Sequence, residues 1–394
     1  MSLALFALSI CTFALGLAEF VAVSLVPAIA AGTHLNVSSV GMMIGIYAIG
    51  VSIGAPTLSA LLAKSPRKTV LAICMLVFAA GNIGTALTSS IAVLLLTRFV
   101  AGLMHGVVIA LASSTAASAV SQEKSGGAIA TVFAGLTVAL MLGVPLGTLA
   151  GSHFAWQDVF FTLGGISIVA AMAILFFTPK VTIKGDDSSK PSVSVWSTLT
   201  DRQILHPVVI TALTYAGSFT GFTYISVLLA DNTHLSASGI TGMFAIYGVA
   251  AAIGNALGGR FVDAMGSRTA AIAVIIGIGL ALLGASMLSS STVAMSVVMA
   301  IWGIASFGAV PIMQKTVFIT AQGNPVASPE VASGMNIAAF NVGIAVGSIL
   351  GGIASHYSPS APMFVGLLPL ILAALLAFAL RQASVVKMDN QYSS

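Results

Sequence analysis

"THLNVSSVGMMIGIYAIGVSIG" (33–54) returns 200 positions later as "THLSASGITGMFAIYGVAAAIG" (233–254). At that offset Tyr47 meets Tyr247, Gly54 meets Gly254, and Lys68 meets Arg268. A second pair follows in the same order: "LGVPLGTLAGSHF" (142–154) and "VGSILGGIASHYS" (346–358). Chance supplies one such match in a chain so rich in small and apolar residues. Two in the same order mark an internal duplication.

What is duplicated is embedded in a membrane. The 394 residues are 58% hydrophobic and 6% charged, with a mean hydropathy of +1.08. A soluble domain carries about a quarter charged residues. Apolar runs of roughly 20 residues, enough to cross a bilayer core as helix, recur along the whole chain. They do not alternate with period two, as strands of a transmembrane β-barrel would. Spans are predicted near 3–31, 39–63, 69–88, 91–119, 126–151 and 157–178, and again near 206–231, 238–262, 269–289, 292–321, 329–356 and 359–381. The expected fold is an all-α membrane protein of twelve transmembrane helices in two pseudo-symmetric six-helix bundles. The N-terminal bundle takes 1–178, a polar cytoplasmic linker 179–205, the C-terminal bundle 206–381 and a cytoplasmic tail 382–394. Two such halves around a central site are the plan of a rocking transporter.

The basic residues set the orientation. Of the 14 Lys and Arg, all but Arg98 fall in or beside the loops 64–68, 120–125, 179–205, 260–268 and 322–328 or the tail. Lys315 belongs there only as the inner end of its span. By the positive-inside rule those loops and both termini are cytoplasmic, and the expected location is a cell inner membrane. The net charge of +4 therefore reports topology, and no basic stripe points to nucleic acid. Cys11 and Cys74 both lie in apolar runs and imply no disulfide framework. The first span lacks a positive n-region and a clear cleavage motif, so a signal peptide is not expected.

Several motifs stand out of the apolar background. "GGRFVDAMGSR" (258–268) sets Gly259, Asp263, Gly266 and Arg268 in the pattern G-x-x-x-D-x-x-G-x-R between spans 8 and 9. Its counterpart "SALLAKSPRK" (59–68) keeps only the basic pair Arg67 and Lys68. The glycines permit a tight turn, and Asp263 is expected to cap a helix end or pair with Arg260 or Arg268 as a cytoplasmic gate. In span 5, Gly135, Ala139, Gly143 and Gly147 recur every fourth position, a face that admits another helix closely. Pro145 removes a backbone donor there and favours a kink.

Together these segments resemble the major facilitator superfamily. The 258–268 loop resembles its signature cytoplasmic loop, and "RFVAGLMHG" (98–106) its fourth-span R-x-x-x-G motif. "GLTVALMLGVPLGTLAG" (135–151) resembles its antiporter motif through Gly135, Gly143, Pro145 and Gly147, with Val144 separating Gly143 from Pro145. "AEF" (18–20), "YAIGVSIGAP" (47–56) and "NIAAFNVGIAVG" (336–347) are similar to one drug:H⁺ antiporter branch. That branch includes bacterial sugar-efflux, purine-efflux and chloramphenicol-resistance exporters. The resemblance implies a secondary exporter that moves a small organic solute outward while protons enter. An uncoupled facilitator or a proton-coupled importer of the same fold is the alternative.

Three ionisable residues inside the membrane are the expected proton-coupling group: Glu19, Arg98 and His105. Charges in spans are costly and face the bundle interior or a cavity. Sixteen residues at about 1.5 Å each put Glu19 roughly 24 Å from the start of span 1, and Arg98 lies about 10 Å into span 4 from its opposite end. An ion pair between them is therefore feasible. His105 follows Arg98 by seven residues on nearly the same face, and by itself reads as a neutral histidine bonded to a neighbour. Tyr47, Tyr215, Phe219, Phe222, Tyr247, Asn336 and Asn341 are candidates for the substrate cavity. Core packing explains the aromatics equally well, and helix-to-helix hydrogen bonding explains the asparagines. No Walker-type phosphate loop, H-E-x-x-H or spaced metal-ligand set appears. No enzyme activity, cofactor or metal is expected, and the partners are a small-molecule substrate, H⁺ and the lipid bilayer, with the protein a monomer.

Overall fold

The computed structural model describes residues 3–62, 65–118, 125–178 and 195–380. Most of the expected linker and the whole of the tail lie outside the described residues. Helices form throughout and, among the described residues, no strand is present.

The duplicated stretch is repeated in backbone detail. His34 (φ 57°) and His234 (φ 53°) are the described non-glycine residues with positive φ. His34 ends one helix and His234 lies three residues past the end of another, and two residues after each a polar side chain starts the next helix: the Asn36 carboxamide accepts from the Ser39 N–H, and the Ser236 hydroxyl from that of Gly239. These caps satisfy donors that a helix start leaves open. The T-H-L-N and T-H-L-S tetrapeptides thus write the same corner in both halves.

Span 1 runs Leu3–Ser24, breaks at Leu25 and resumes as Val26–Thr33, with Pro27 in the first turn of the second piece. Span 2 runs Val37–Ile53 and widens into a π-turn over Gly54–Leu58. Spans 3 and 4 are Arg67–Ala86 and Ile91–Ser118. Span 5 runs Ser125–Val138, passes through a π-turn at Ala139–Gly143 and continues as Val144–His153. Both π-turns carry a proline inside or just beyond them, Pro56 and Pro145, whose missing N–H and bulky ring perturb the turn before it. Span 6 is Trp156–Phe177.

A short helix, Val195–Thr200, precedes span 7, which runs Arg202–Phe222 and Ile225–Asp231. Span 10 is Thr292–Gln322, span 11 Pro329–Ser355, and span 12 Ala361–Val365 with Leu367–Phe378. Spans 8 and 9 form one 51-residue run, Ala237–Met287, interrupted at Gly266 (φ 78°, ψ 159°). Such a run measures about 77 Å, twice what a bilayer core needs, so it counts as two spans. The expected loop at 260–268 is thereby corrected. Helix continues through Met265, and the reversal is concentrated at the one residue that tolerates that φ. Ten helices pass the length and apolarity needed for crossing, the bent fifth span makes eleven, and division at Gly266 gives the expected twelve.

Large apolar side chains point outward all round, among them Phe176, Leu368 and Val293, as a lipid-facing surface requires. The halves meet closely at the end opposite the basic loops. There Ser226 Oγ donates to the Val23 carbonyl at 2.9 Å, and a Cβ on Gly41 would overlap the Tyr224 hydroxyl. Nearer the middle, Gly248 of span 8 lies against the Leu140 carbonyl of span 5.

Candidate functional site

Spans 2 and 4 cross at backbone contact because glycine occupies both sides of the crossing. A Cβ on Gly102 would overlap the Tyr47 carbonyl, and one on Gly54 the Leu103 carbonyl. That contact presses the residues flanking Gly102 onto Tyr47. Arg98 Cζ lies 4.0 Å from the centre of the Tyr47 ring and 5.8 Å from that of Phe160. Tyr47 Oη and His105 Nδ1 are 2.7 Å apart. The tyrosine so links the two span-4 residues that the sequence singled out.

Arg98 is fully buried. Its Nη2 donates to the Ala18 carbonyl at 3.1 Å, while Nε and Nη1 have no acceptor. A desolvated cation–π contact contributes about 2 kcal/mol, against a burial cost of several kcal/mol for an ion. The guanidinium is under-compensated and suited to an anionic partner. The depth match with span 1 holds, since Arg98 bonds the carbonyl next to Glu19. The ion pair that was feasible from the sequence is not formed: among the described residues the ion pair is Lys315–Asp263. Arg98 is turned over the Tyr47 ring, and Glu19 is turned into a cavity.

That cavity, about 170 Å³, lies between the halves. The N-terminal half contributes Glu19, His105 and Thr137, with apolar Phe20, Phe133, Leu136 and Leu140. From the other half come Thr211, Tyr215, Asn255, Gln314, Asn336 and Asn341, beside Phe307 and Phe340. The amides are pre-organised: Asn336 Nδ2 donates to Gln314 Oε1 and its Oδ1 accepts from Thr211 Oγ1, each at 2.7 Å. Asn341 Nδ2 donates to the Ile337 carbonyl at 3.0 Å, and its Oδ1 has no donor. Tyr215 donates to the Ser306 carbonyl at 3.0 Å and packs edge-on against Phe340.

Four of the residues expected in the cavity stand outside its lining: Tyr47, Phe219, Phe222 and Tyr247. Tyr47 is behind it, under Arg98. Phe222 stacks on Tyr247 with centroids 4.4 Å apart and meets Phe219, Phe244 and Trp302 edge-on. These aromatics form a packed core of the C-terminal half, because span 7 turns that face inward to its own bundle. Conversely, Gln314, Phe20, Phe133, Phe307 and Phe340 were not singled out from the sequence. Gln314, an amide within the apolar run "VPIMQ" (310–314), carried a legible signal; the phenylalanines carried none.

The small face of span 5 lies along span 1. A Cβ on Gly135 would overlap the Ser9 carbonyl. One on Gly143 would come 3.0 Å from Leu17 Cδ1, and one on Gly147 2.6 Å from Val21 Cγ2. Leu142, on the opposite face, is 51% exposed. At the basic end Asp263 pairs with Lys315 of span 10, not with Arg260 or Arg268 as expected, because spans 8 and 10 pack side by side. Both partners belong to the C-terminal half, so this contact does not tie the two halves together. Arg268 Cζ lies 5.5 Å from the Phe378 ring centre, Gly259 faces open space, and Arg67 Nη1 is buried without an acceptor. Lys68 sits in the first turn of span 3.

Two six-span halves, a largely apolar cavity between them with a few polar side chains in its lining, and buried charge at its wall define a polytopic membrane transporter. The family model of the Major Facilitator Superfamily matches residues 8–328; the chain belongs to that superfamily. It is 33% identical over 391 residues to the "Inner membrane transport protein YdhP" of Escherichia coli (strain K12), covering 98% of each chain. It is 29% identical over 385 residues to the "Chloramphenicol resistance protein" of Streptomyces lividans, covering 97% of each. In fold it is similar to the crystal structure of a bacterial homologue of the human lysosomal transporter Spinster, captured inward-facing and unoccupied. The TM-score is 0.79 at 16% identity, over 95% of this chain and 96% of that one.

Proposed function

We propose that this transporter exports a small organic solute across a bacterial inner membrane in exchange for protons, by alternating access. The observation that carries the reading is the separated pair at the cavity wall. Glu19 faces the space between the halves, while the buried Arg98 guanidinium beside it keeps two nitrogens, Nε and Nη1, without an acceptor. A proton on Glu19 is compatible with the separated arrangement, and an ionised Glu19 with contact to Arg98. A rocking motion that makes and breaks that contact then exchanges a proton, and a cargo that favours one arrangement is coupled to it. Residues 1–178 and 206–381 are the two rocking bodies and the basic end is cytoplasmic; contact between the halves at the opposite end supports reading this arrangement as inward-facing. The protein acts as a monomer.

Direction and cargo class take support from the relative named for chloramphenicol resistance: a protein of this superfamily would give resistance by carrying the drug out of the cell. Everted membrane vesicles energised with a proton gradient test the reading. Chloramphenicol, a sugar panel and a purine panel are added in turn, and proton release is followed with a pH-sensitive dye. A cargo should accumulate in the vesicles and dissipate the gradient. Glu19→Gln should abolish accumulation while leaving counterflow exchange. Accumulation by Glu19→Gln would remove Glu19 as the coupling group; accumulation of no cargo above a gradient would favour an uncoupled facilitator.

A further inference from the structure

The two ring nitrogens of His105 face different surroundings. Nδ1 lies 2.7 Å from the hydroxyl of Tyr47, which is buried behind the cavity, whereas His105 belongs to the lining. The ring edge bearing Nε2 is therefore the edge left to the cavity. What Nε2 carries depends on the direction of the bond at Nδ1. A phenol hydroxyl donates one proton and can also accept, and His105 is the hydrogen-bond partner of Tyr47 Oη. If Nδ1 carried the proton, the phenol proton would be buried without an acceptor. If the phenol donates, only a spare lone pair goes unused. Buried donors without partners are rarer than under-used acceptors.

We infer that Tyr47 donates to Nδ1 and thereby holds His105 in the form protonated on Nε2. Tyr47 is then a positioning residue that acts through His105. Two consequences follow. His105 shows the cavity a donor, which reads an acceptor oxygen or nitrogen on the cargo. It also shows the cavity no lone pair, so it does not accept the exchanged proton, and of the two N-half ionisable groups in the lining that task stays with Glu19. Among the described residues, Arg98 over the Tyr47 ring and Glu19 and Tyr215 in the same cavity lining are the other charged or titratable groups about this pair. The second consequence rests on the exchanger reading above; the protonated form itself does not.

The test is nitrogen NMR of the full-length protein, ¹⁵N-labelled at histidine, in lipid nanodiscs at pH 8 without cargo. The His105 signals are assigned by their loss in His105→Gln. The expected spectrum has a pyridine-type Nδ1 and a pyrrole-type Nε2; a pyrrole-type Nδ1 overturns the inference. Tyr47→Phe should add the second tautomer, and a spectrum that keeps the single form would overturn the role of Tyr47. With any cargo found by the vesicle panel, His105→Gln should raise KM by roughly fivefold, the equivalent of one ordinary hydrogen bond, at unchanged protons per cargo. A fall in protons per cargo would overturn the assignment of the proton to Glu19. Because the spectra require no transport, failure of the exchanger reading leaves the tautomer result separately readable.

Discussion

The crossing of spans 2 and 4 has a twin in the crossing of spans 8 and 10. Gly303 lies against the Tyr247 carbonyl as Gly102 does against that of Tyr47, and Gly254 against Ile304 as Gly54 against Leu103. Counting back four residues from each glycine places Met299 where Arg98 stands; counting on three places Ser306 where His105 stands. The scaffold is common and the charge is confined to one half. Packing differs too. In the C-terminal half, Gly343, Gly347 and Gly351 of span 11 meet the carbonyls of Ala212, Ala216 and Thr220, a seam of backbone on backbone. At the corresponding contact of spans 1 and 5 in the N-terminal half, Gly135 meets the Ser9 carbonyl, but Gly143 and Gly147 meet the side chains of Leu17 and Val21. The half that holds the buried Arg98 and Glu19 is the half with the looser seam. On the proposed exchange such slack would let Glu19 change partners, whereas the other half supplies a wall of amides and aromatics.

The largest break in this comparison is expected from giving the C-terminal half a charge. Met299→Arg buries a cation beside Tyr247 with no carboxylate near, and removing a buried charge's partner costs about 3–5 kcal/mol. Folded yield in detergent should collapse; a stable Met299→Arg protein would show that the crossing tolerates charge in either half. The reverse change, Arg98→Met, should cost proton-driven efflux at least about 100-fold, roughly 2.7 kcal/mol at 1.36 kcal/mol per decade. Its thermal stability should not fall, since an under-compensated cation gives way to an apolar side chain. Retained coupling in Arg98→Met would end the claim that the chemistry sits on one side.

Smaller changes probe the seams. Gly347→Ala should lower stability by about 1–3 kcal/mol, as overpacking against backbone does. Gly143→Ala should cost less, because Leu17 and Phe13 side-chain ends are what it meets. Equal melting shifts would erase the contrast between the seams. The smallest effect is at the basic end. Asp201 caps span 7 and accepts from Asn324 Nδ2 at 3.0 Å, and chiefly that amide bond holds its carboxyl below the ordinary value of 3.8. Its contribution is present above that value and is lost as pH falls through the lowered one. Span 1 has no acidic residue in its first turn. Hydrogen exchange in the first turn of span 7 should therefore accelerate between pH 5 and pH 3 by more than the intrinsic rate predicts. Asn324→Ala should move that onset upward; acceleration confined to span 1 would contradict it.

The repeat made the architecture legible, because it copied corner residues as well as apolar runs: the cap at Asn36 reappears at Ser236. The span-5 glycines were legible for a similar reason. A small face needs only spacing, and spacing is in the sequence. Orientation of the aromatics was not. Tyr215 and Phe219 are one turn apart on span 7, yet one lines the cavity and the other joins the bundle core. Which edge of that face looks outward depends on how span 7 packs against spans 10 and 11. Asp263 illustrates the same gap: its basic partner was sought in its own loop, and it lies 52 residues on, reachable only when two spans stand side by side. Glu19 and Arg98 were placed at the right depth by counting residues. Depth does not fix rotation about the helix axis, and rotation decides whether they touch.

Gly266 carries a mechanical consequence. Between spans 8 and 9 the chain has a single hinge residue and no slack, so a tilt of the basic end of span 8 is handed to span 9 as torque. Arg268 over Phe378 passes the load on to span 12. The basic end of the C-terminal half is thereby tied together as one plate.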